Sequence, residues 1–387
     1  MRRNIKLLYV VNEAFFFVSH RLAVAKAAVE AGFEVHVAAP EDNVWAPDWF
    51  STQHLCDLGF AFHPIPLSRR GTNPVSELHT FVSILRLYKE LRPDLVHQLT
   101  IKPVLYGGVA ARLAKVPAVV STVTGLGQLF VGTQPLERLL RSVARFAYGV
   151  ATHHHNIKVI VQNSHDRSVL AGSRMVSEKH IALVRGSGAA LDKFFPRPEQ
   201  TGPPVIILPA RLIWEKGIEH FVEMAYRLSR DGVSARFALV GDSQPSNPRS
   251  VPSDLIGRWV EEGSVEWWGR RDDMPAVFAE SHIVCLPTRY GEGVPKVLIE
   301  AAASGRAIVA TDIPGCREIV QNHENGILVP VGDIDELCSA VKQLIADADL
   351  RRSYGAAGRK IALESYDENQ IASANLAIYQ ELLKASA

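Results

Sequence analysis

The feature that most constrains this chain is an alternation, sustained through both halves, of short apolar runs with longer stretches of helical period. Ile5–Val11 is followed by Leu22–Ala31 and Val35–Ala39, Leu85–Leu91 leads through Arg92-Pro93 to Asp94–His97, and Val104–Ala114 precedes Ala118–Val123. The runs are near-continuous Val, Ile and Leu. Strands of that kind are buried on both faces, the condition of a parallel sheet covered by helices. The pattern breaks between Leu191 and Pro204, where four prolines suit neither a helix nor a central strand, so a linker or hinge is expected. It restarts with Val205–Leu208, a helix from Gly217 to Arg230, Ala235–Val240, Val265–Trp267, His282–Leu286, a helix from Pro295 to Ala303, and Ala307–Ala310. From about Asp335 the tail reads as three helical segments.

The expected fold is α/β, two doubly wound Rossmann-like domains facing a cleft, with ligands at the carboxyl ends of the strands. The expected boundaries are 1–195, 196–365, and a C-terminal helix over 366–387 that packs back on the N-terminal domain. A length of 387 residues suits two domains, and 47% hydrophobic with 21% charged residues gives each a full core. The net charge of +1 argues against a nucleic-acid partner. Cys56, Cys285, Cys316 and Cys338 form no Cys-x-x-Cys pair and read as reduced thiols. Met1-Arg2-Arg3 resembles the start of a signal peptide only superficially, because Lys6 breaks the following apolar run and Asn12-Glu13 stops it. No apolar stretch approaches the length of a membrane span, and a cytoplasmic chain is expected.

One segment stands out chemically: Tyr290-Gly-Glu292-Gly-Val-Pro295-Lys-Val-Leu-Ile-Glu300-Ala-Ala-Ala-Ser-Gly305. It follows a strand, and Pro295 suits a first helical turn. Glu292 then lies in a loop and Glu300 about five residues into the helix, roughly 7–8 Å along its axis. Carboxylates so spaced do not form a tight pair on one atom. They suit the two ends of an extended ligand, with the helix-start amides between them for a diphosphate. The alternative is a pair of ordinary surface residues. A second segment, Leu208-Pro-Ala-Arg211-Leu-Ile-Trp214-Glu-Lys216-Gly217, puts two cations at the end of the first strand of the second half. An Arg fork and a mobile ammonium suit non-bridging diphosphate oxygens, each contact being worth on the order of 4 kcal/mol before desolvation. The alternative here is a solvated basic turn.

Arg211…Glu215-Lys216-Gly217, then Leu239-Val240-Gly241, then Gly269, then Glu292 and Glu300 eight residues on, resembles glycosyltransferase family 4, retaining enzymes of the GT-B fold. The resemblance covers essentially the whole chain and is most specific from about 205 to 330. It implies that Arg211 and Lys216 bind the donor diphosphate, Glu300 the ribose and Glu292 the donor sugar. Gly241, Gly269 and Arg270 would line the nucleoside pocket, and Gly293, Val294, Pro295, Lys296 and Val297 would complete the donor loop. Thr311–Gly315 and Glu318 resemble the family's downstream segment, read as structural support. UDP is the nucleotide the resemblance favours.

The N-terminal half resembles a narrower group, bacterial enzymes acting on polyprenyl-diphosphate-linked sugars. The carrying stretches are Ser19-His20-Arg21, Leu99-Thr-Ile-Lys102-Pro103 and Ser121-Thr-Val-Thr124-Gly125-Leu126-Gly127. His20, Lys102, Thr124, Gly125 and Gly127 are the acceptor-binding candidates, and Gly125 and Gly127 would permit close backbone approach. His97 is a catalytic candidate beside Arg211, Lys216 and Glu292. Many relatives carry a second histidine two positions on, where this chain has Leu99.

In the front-face scheme favoured for this family, the leaving diphosphate takes the acceptor proton, so the enzyme stabilises the departing charge and holds the acceptor in line. A covalent intermediate on Glu292 is the formal alternative. No metal or other cofactor is expected. Asp333-Ile-Asp335 sits where acids cap a helix, and His153-His154-His155 point in different directions. Leu129–Val131, Leu139–Phe146 and Phe15–Phe17 combine apolar and basic residues, which suits contact with the inner face of a membrane as well as ordinary packing. The expected partners are a nucleotide-sugar donor and a lipid-linked glycan acceptor. A sugar-nucleotide epimerase or hydrolase on the same fold is the competing function.

Overall fold

In a computed structural model, residues 4–41, 46–47, 49–68, 73–125, 145–173, 175–244, 247–289 and 291–386 are described. They form two compact units: 1–187 with 368–387, and 188–367.

The first unit holds a seven-stranded sheet: β1 (Ile5–Val10), β2 (Phe33–Ala39), β3 (Ala61–Pro64), β4 (Leu95–Leu99), β5 (Ala118–Val123), β6 (Ile157–Val161) and β7 (Ile181–Leu183). Their order is β3-β2-β1-β4-β5-β6-β7 and all pairs are parallel. Every residue of β4 and β5 is buried, the polar His97, Gln98, Ser121 and Thr122 included, as strands covered on both faces require. The second unit repeats the scheme with β8 (Val205–Pro209), β9 (Arg236–Val240), β10 (Glu266–Trp267), β11 (Ile283–Leu286), β12 (Ala307–Thr311) and β13 (Gly326–Val329), in the order β10-β9-β8-β11-β12-β13, again parallel. In both sheets the first strand lies beside the fourth, so each has a topological switch point where the connections diverge, the place a doubly wound sheet offers a ligand.

Helices cover both faces of each sheet. Helix Ile218–Arg230 buries Ile218, Phe221, Val222, Met224, Ala225 and Leu228, the stripe expected of period 3.6. The third predicted tail segment is helix Glu368–Ser386, which belongs to the first unit. There Ile371, Ala372, Ile378, Tyr379 and Leu382 join the core formed with β1, β2 and helix Ala14–Glu30.

Three sequence expectations change. The first helix begins at Ala14 rather than at the expected Leu22, so Ser19-His20-Arg21 lies inside it. Phe17 is fully buried against Tyr9 and Phe60 instead of adding to an aromatic surface. The proline-rich stretch is no hinge. It is tied to the second unit by Arg351 on Glu199 at 3.0 Å, Arg306 donating to the Arg197 carbonyl at 2.9 Å, and Arg359 donating to the Phe194 carbonyl at 2.6 Å. The chain crosses earlier than the prolines, between 187 and 188. There Ala189 and Asp367 form a parallel bridge and Ala189 N–H donates to the Tyr366 carbonyl at 2.8 Å, so the chain enters and leaves the second unit side by side.

Candidate active site

The loops at the carboxyl ends of β8 and β11, the two strands flanking the switch point of the second unit, are locked together by backbone. Gly217 has φ +75, and a Cβ there would stand 2.0 Å from the Pro287 carbonyl oxygen, so only glycine lets the β8 loop cross the β11 loop. Gly315, after β12, has the same constraint: its Cβ would meet the Gly293 and Glu292 carbonyls at 2.2 and 2.6 Å. The Glu292 loop is therefore clasped from both sides by backbone.

Those crossings bring Lys216 to Glu292. Lys216 Nζ lies 2.6 Å from Glu292 Oε1, and the two side chains are only 14% and 16% exposed. Thr288 Oγ1, fully buried, lies 3.1 Å from the Glu215 carbonyl and 3.3 Å from Glu292 Oε1, and its one proton is shared between these two acceptors. Cys316 lies behind this pair. Burial raises its thiol well above the ordinary range and the Glu292 charge adds to that, with Lys216 opposing.

Pro295 caps helix Lys296–Ala303 from outside with extended backbone, one position before the first turn expected for it. Glu300 is 7% exposed and pairs with Lys296 at 2.9 Å. The amides of Lys296 and Val297 have no acceptor among the described residues. They open the positive end of the helix beside Glu292, the arrangement that favours a phosphate. Arg211 follows β8 and is exposed, and its side chain makes no hydrogen bond or ion pair among the described residues. Gly293 and Val294 lie in the same loop, Val294 buried in the core behind it.

The β9 and β10 loops complete the end of the sheet. Gly241 N–H donates to the Gly269 carbonyl at 2.8 Å, and Trp267 Nε1 donates to the Gly241 carbonyl at 2.8 Å. Arg270 pairs with Asp272 at 3.3 Å. The structure thus gathers Arg211, Lys216, Gly241, Gly269, Arg270, Glu292, Gly293, Val294, Pro295, Lys296, Val297 and Glu300 on loops and one helix start at the carboxyl edge of a single sheet. Cations, a helix start and two nearly buried carboxylates on one edge can hold a diphosphate flanked by hydroxyl-bearing groups. Thr288 was not singled out in the sequence. Its signal was a hydroxyl just past an apolar strand, at the end where ligand loops begin.

The acceptor candidates in the first unit fare less uniformly. His97 is a core residue: it is 0% exposed, with Nδ1 2.6 Å from the Tyr379 hydroxyl and Nε2 2.7 Å from Thr122 Oγ1. Burial, with Arg21 adding to it, holds the imidazole well below its ordinary pKa. Both ring nitrogens are thus engaged in the core, an arrangement that does not suit the expected catalytic role. Lys102 is engaged by Glu77 at 2.6 Å and the Ser68 carbonyl at 2.8 Å, fastening helix Ile101–Leu113 to helix Pro74–Leu91. Tyr106 donates to the same Glu77 carboxylate at 2.5 Å; burial and then that carboxylate push its phenol up to about 12. His20 stacks on Phe16 and shares a 2.7 Å hydrogen bond with Ser19. Thr124 and Gly125 follow β5, Gly125 at φ +139. Gly127 and Tyr290 lie outside the described residues, as do Leu129–Val131 and Leu139–Arg141.

Two other sequence strings have structural duties. Asp333 caps helix Ile334–Ala346 by accepting from Glu336 N–H at 3.0 Å, and Asp335 pairs with Arg227 at 2.8 Å. His154 is buried, its ring nitrogens 3.0 Å from the Asn156 and Val116 carbonyls. Among the described residues, no group of three or more His, Cys, Asp or Glu could hold a metal, and no helix is long and apolar enough to cross a membrane.

Comparison with known proteins extends this geometry. The family "Glycosyl transferase 4-like" matches residues 6–164, and "Glycosyl transferases group 1" matches residues 203–347. The chain is 28% identical over 377 residues to N,N'-diacetylbacillosaminyl-diphospho-undecaprenol alpha-1,3-N-acetylgalactosaminyltransferase of Campylobacter jejuni, covering 94% of this chain and 95% of that protein. It is 25% identical to UDP-Gal:alpha-D-GlcNAc-diphosphoundecaprenol alpha-1,3-galactosyltransferase of Escherichia coli, over 76% of this chain and 77% of the other. The fold resembles that of Anabaena HepE solved in complex with UDP, with a TM-score of 0.76 at 17% identity, covering 98% of this chain and 100% of the other. With one family matched on each sheet, and a phosphate-suited loop cluster at the switch point of the second, this chain belongs to the group 1 and 4-like glycosyl transferases and has the GT-B fold.

Proposed function

We propose that the chain is a retaining glycosyltransferase. It moves a hexose or N-acetylhexosamine-type sugar from a UDP-sugar to a polyprenyl-diphosphate-linked glycan in the assembly of a bacterial surface polysaccharide or glycoprotein glycan. The observation that carries this reading is the nearly buried Lys216–Glu292 pair beside the start of helix Lys296–Ala303, at the switch point of the second sheet. The two relatives act, by name, on diphosphate-linked undecaprenol acceptors, and the HepE complex contains UDP.

In this reading Arg211, Lys216 and the amides of Lys296 and Val297 take the diphosphate, Glu300 the ribose hydroxyls and Glu292 the sugar hydroxyls. The acceptor oxygen attacks the anomeric carbon as its bond to the diphosphate breaks, and the departing phosphate oxygen takes the acceptor proton on the same face. The protein then needs no base opposite the leaving group. Its contribution is charge placed in advance where charge develops. No metal or other cofactor enters the scheme, because the neutralising charge comes from side chains and the helix start. Thr124, Gly125 and His20 remain the acceptor-side candidates.

Access to a lipid-linked acceptor asks for a membrane-facing surface. Helix Pro74–Leu91 offers one: Val75, Leu78 and Val82, at 75%, 62% and 46% exposure, form one stripe that continues into exposed Arg86. Exposed Phe146 is a second apolar feature of the same unit. The enzyme is proposed to work at the inner face of the cytoplasmic membrane.

The test is nucleoside diphosphate release from UDP-, GDP- and ADP-sugars, with and without polyprenyl-diphosphate sugars, followed by assignment of the product anomer by NMR. Release from one UDP-sugar only with the lipid, and an α product from an α donor, is the expected result. Release without acceptor would put hydrolase or epimerase chemistry in its place.

A further inference from the structure

The two cations assigned to the diphosphate, Arg211 and Lys216, stand at opposite ends of one short segment, and backbone pairing holds only part of it. Residues 212–214 run antiparallel to 249–251, which follow β9. Val251 N–H donates to the Leu212 carbonyl at 2.8 Å, Trp214 N–H donates to the Arg249 carbonyl at 3.0 Å, and Ile213 and Ser250 form an antiparallel bridge. Ser250 Oγ donates to the Leu212 carbonyl at 3.1 Å. This pairing ends at Trp214. Lys216 lies beyond it, in the single turn Trp214–Lys216, which Gly217 closes in the left-handed conformation.

Glu215 is the middle residue of that turn and is tied on two sides. Its carboxylate pairs with Arg249 at 3.2 Å, on the β9 side. Its carbonyl accepts from Arg289 N–H at 2.9 Å and lies 3.1 Å from Thr288 Oγ1, on the β11 side. One residue thus joins the loop of Gly241 to the loop of Glu292, immediately before the lysine that reaches Glu292 at 2.6 Å. The arrangement does little for the fold. Arg249 is 54% exposed, and an ion pair so open to solvent stabilises a protein weakly. Glu215 Oε2 is sealed from solvent without a partner, and the Arg249 contact is the carboxylate's one ion pair among the described residues. A sealed oxygen that accepts no hydrogen bond is destabilising. A glutamate kept against the interest of the fold, between two loops of a ligand-binding edge, points to a duty in the site.

We propose that Glu215 is a positioning residue. Held by Arg249 on one side and by Thr288 and Arg289 on the other, it places the Lys216 ammonium against the leaving diphosphate. The proposal rests on the reading of this edge as a donor diphosphate site. A lysine stem is directed by its backbone anchor, and a shift of about 1 Å in a group that meets developing charge can lower a rate by up to about 10²-fold. Donor binding is shared with Arg211, the helix start and Glu300, so it depends less on this one anchor.

The experiment measures kcat, donor KM, UDP affinity and the unfolding midpoint for the full natural chain, Glu215→Gln, Arg249→Met, Arg249→Lys and the double variant Glu215→Gln/Arg249→Met. The natural chain is assayed first, with UDP-, GDP- and ADP-sugars and a polyprenyl-diphosphate sugar. Glu215→Gln and Arg249→Met should each lower kcat by about tenfold, with donor KM and UDP affinity within about twofold of the natural chain. Their unfolding midpoints should stay within about two degrees of it, a combination that a purely structural pair would not give. The double variant should be no slower than the slower single variant, because both substitutions break the same pair. Arg249→Lys should keep part of the rate. An unchanged kcat in Glu215→Gln, rate losses that multiply in the double variant, or falls in midpoint and UDP affinity that match the loss of rate would overturn the positioning role. If the natural chain turns over none of the sugar nucleotides, the transferase reading itself fails and takes the proposal with it. If Glu215→Gln fails to fold, the two Arg249 variants decide by the same readouts.

Discussion

Lys216 and Glu292 neutralise each other at 2.6 Å, and Lys296 does the same for Glu300 at 2.9 Å. Each nearly buried carboxylate is thereby spared an unpaired charge, and in the proposed reaction donor binding would exchange partners rather than bury bare ions. Lys216→Ala should lower kcat by about 10²-fold, the usual cost of removing one pre-placed electrostatic contact to a leaving group, with little change in acceptor KM. An unaltered kcat would remove Lys216 from the reaction. Glu300→Gln keeps the shape but weakens acceptance from ribose hydroxyls, so donor affinity should fall by about tenfold, for a loss of roughly 1–1.5 kcal/mol. Calorimetry with the nucleoside diphosphate reads this directly, and equal affinities would refute the assignment. His97 yields a pH prediction. Its folded pKa is held well below the ordinary imidazole value by burial and Arg21, so the unfolded chain takes up this proton first as pH falls. The stability linked to His97 is complete above about pH 6.5 and declines below it, by up to about 1.4 kcal/mol per pH unit for one proton. Denaturant titrations of the natural chain and His97→Gln between pH 7 and 5 should show a shallower decline in the variant, and matching slopes would contradict the assignment.

At the scale of elements, loops are positioned by backbone crossings that leave no room for a side chain. Gly217→Ala would put a Cβ 2.0 Å from the Pro287 carbonyl and hold alanine at φ +75. It should cost at least about 2 kcal/mol of stability and depress donor binding together with it, because the β8 and β11 loops would have to separate. Retained stability with retained donor affinity would show that the crossing yields elsewhere. Helix Pro74–Leu91 is well made: Asn73 caps it by accepting from Val75 N–H at 3.0 Å, and Pro74 opens it. Its exposed Val75, Leu78 and Val82 contribute little to the fold. Changing all three to Ser should leave the unfolding midpoint within a few degrees while reducing co-sedimentation with anionic vesicles. Undiminished vesicle binding would move the membrane contact to another surface. Element types were legible in the sequence because period and run length specify them. The start of the first helix was not, because Ala14–Val18 reads equally well as the end of an apolar run or as a helix.

For the molecule as a whole, the two units differ in continuity. The second is one uninterrupted segment, 188–367, whereas the first needs the C-terminal helix to close its core. Every donor-site candidate lies in the second unit. Residues 188–367 expressed alone should therefore fold and bind a nucleoside diphosphate within about tenfold of the full chain. Removing residues 368–387 should leave the first unit unable to fold cooperatively, because buried Ile371, Ile378, Tyr379 and Leu382 are lost together, each costing about 2–5 kcal/mol. Calorimetric scans of the truncated chain test this: a first-unit transition that persists unchanged would show that the helix is dispensable.

The sequence by itself determined the parallel α/β architecture, the repetition of one sheet plan, and the strand ends at which Arg211, Lys216, Glu292 and Glu300 would gather. Burial on both faces of a parallel strand, helix period and turn chemistry are local properties that a sequence displays. Only the tertiary structure decided that His97 is enclosed by Thr122 and Tyr379, that Lys102 is spent on Glu77, and that the proline-rich stretch is pinned by three arginines. Each of those facts depends on a residue distant in the chain, such as Tyr379 against His97. Availability of a side chain is a property of what surrounds it in space, which spacing along the sequence does not encode.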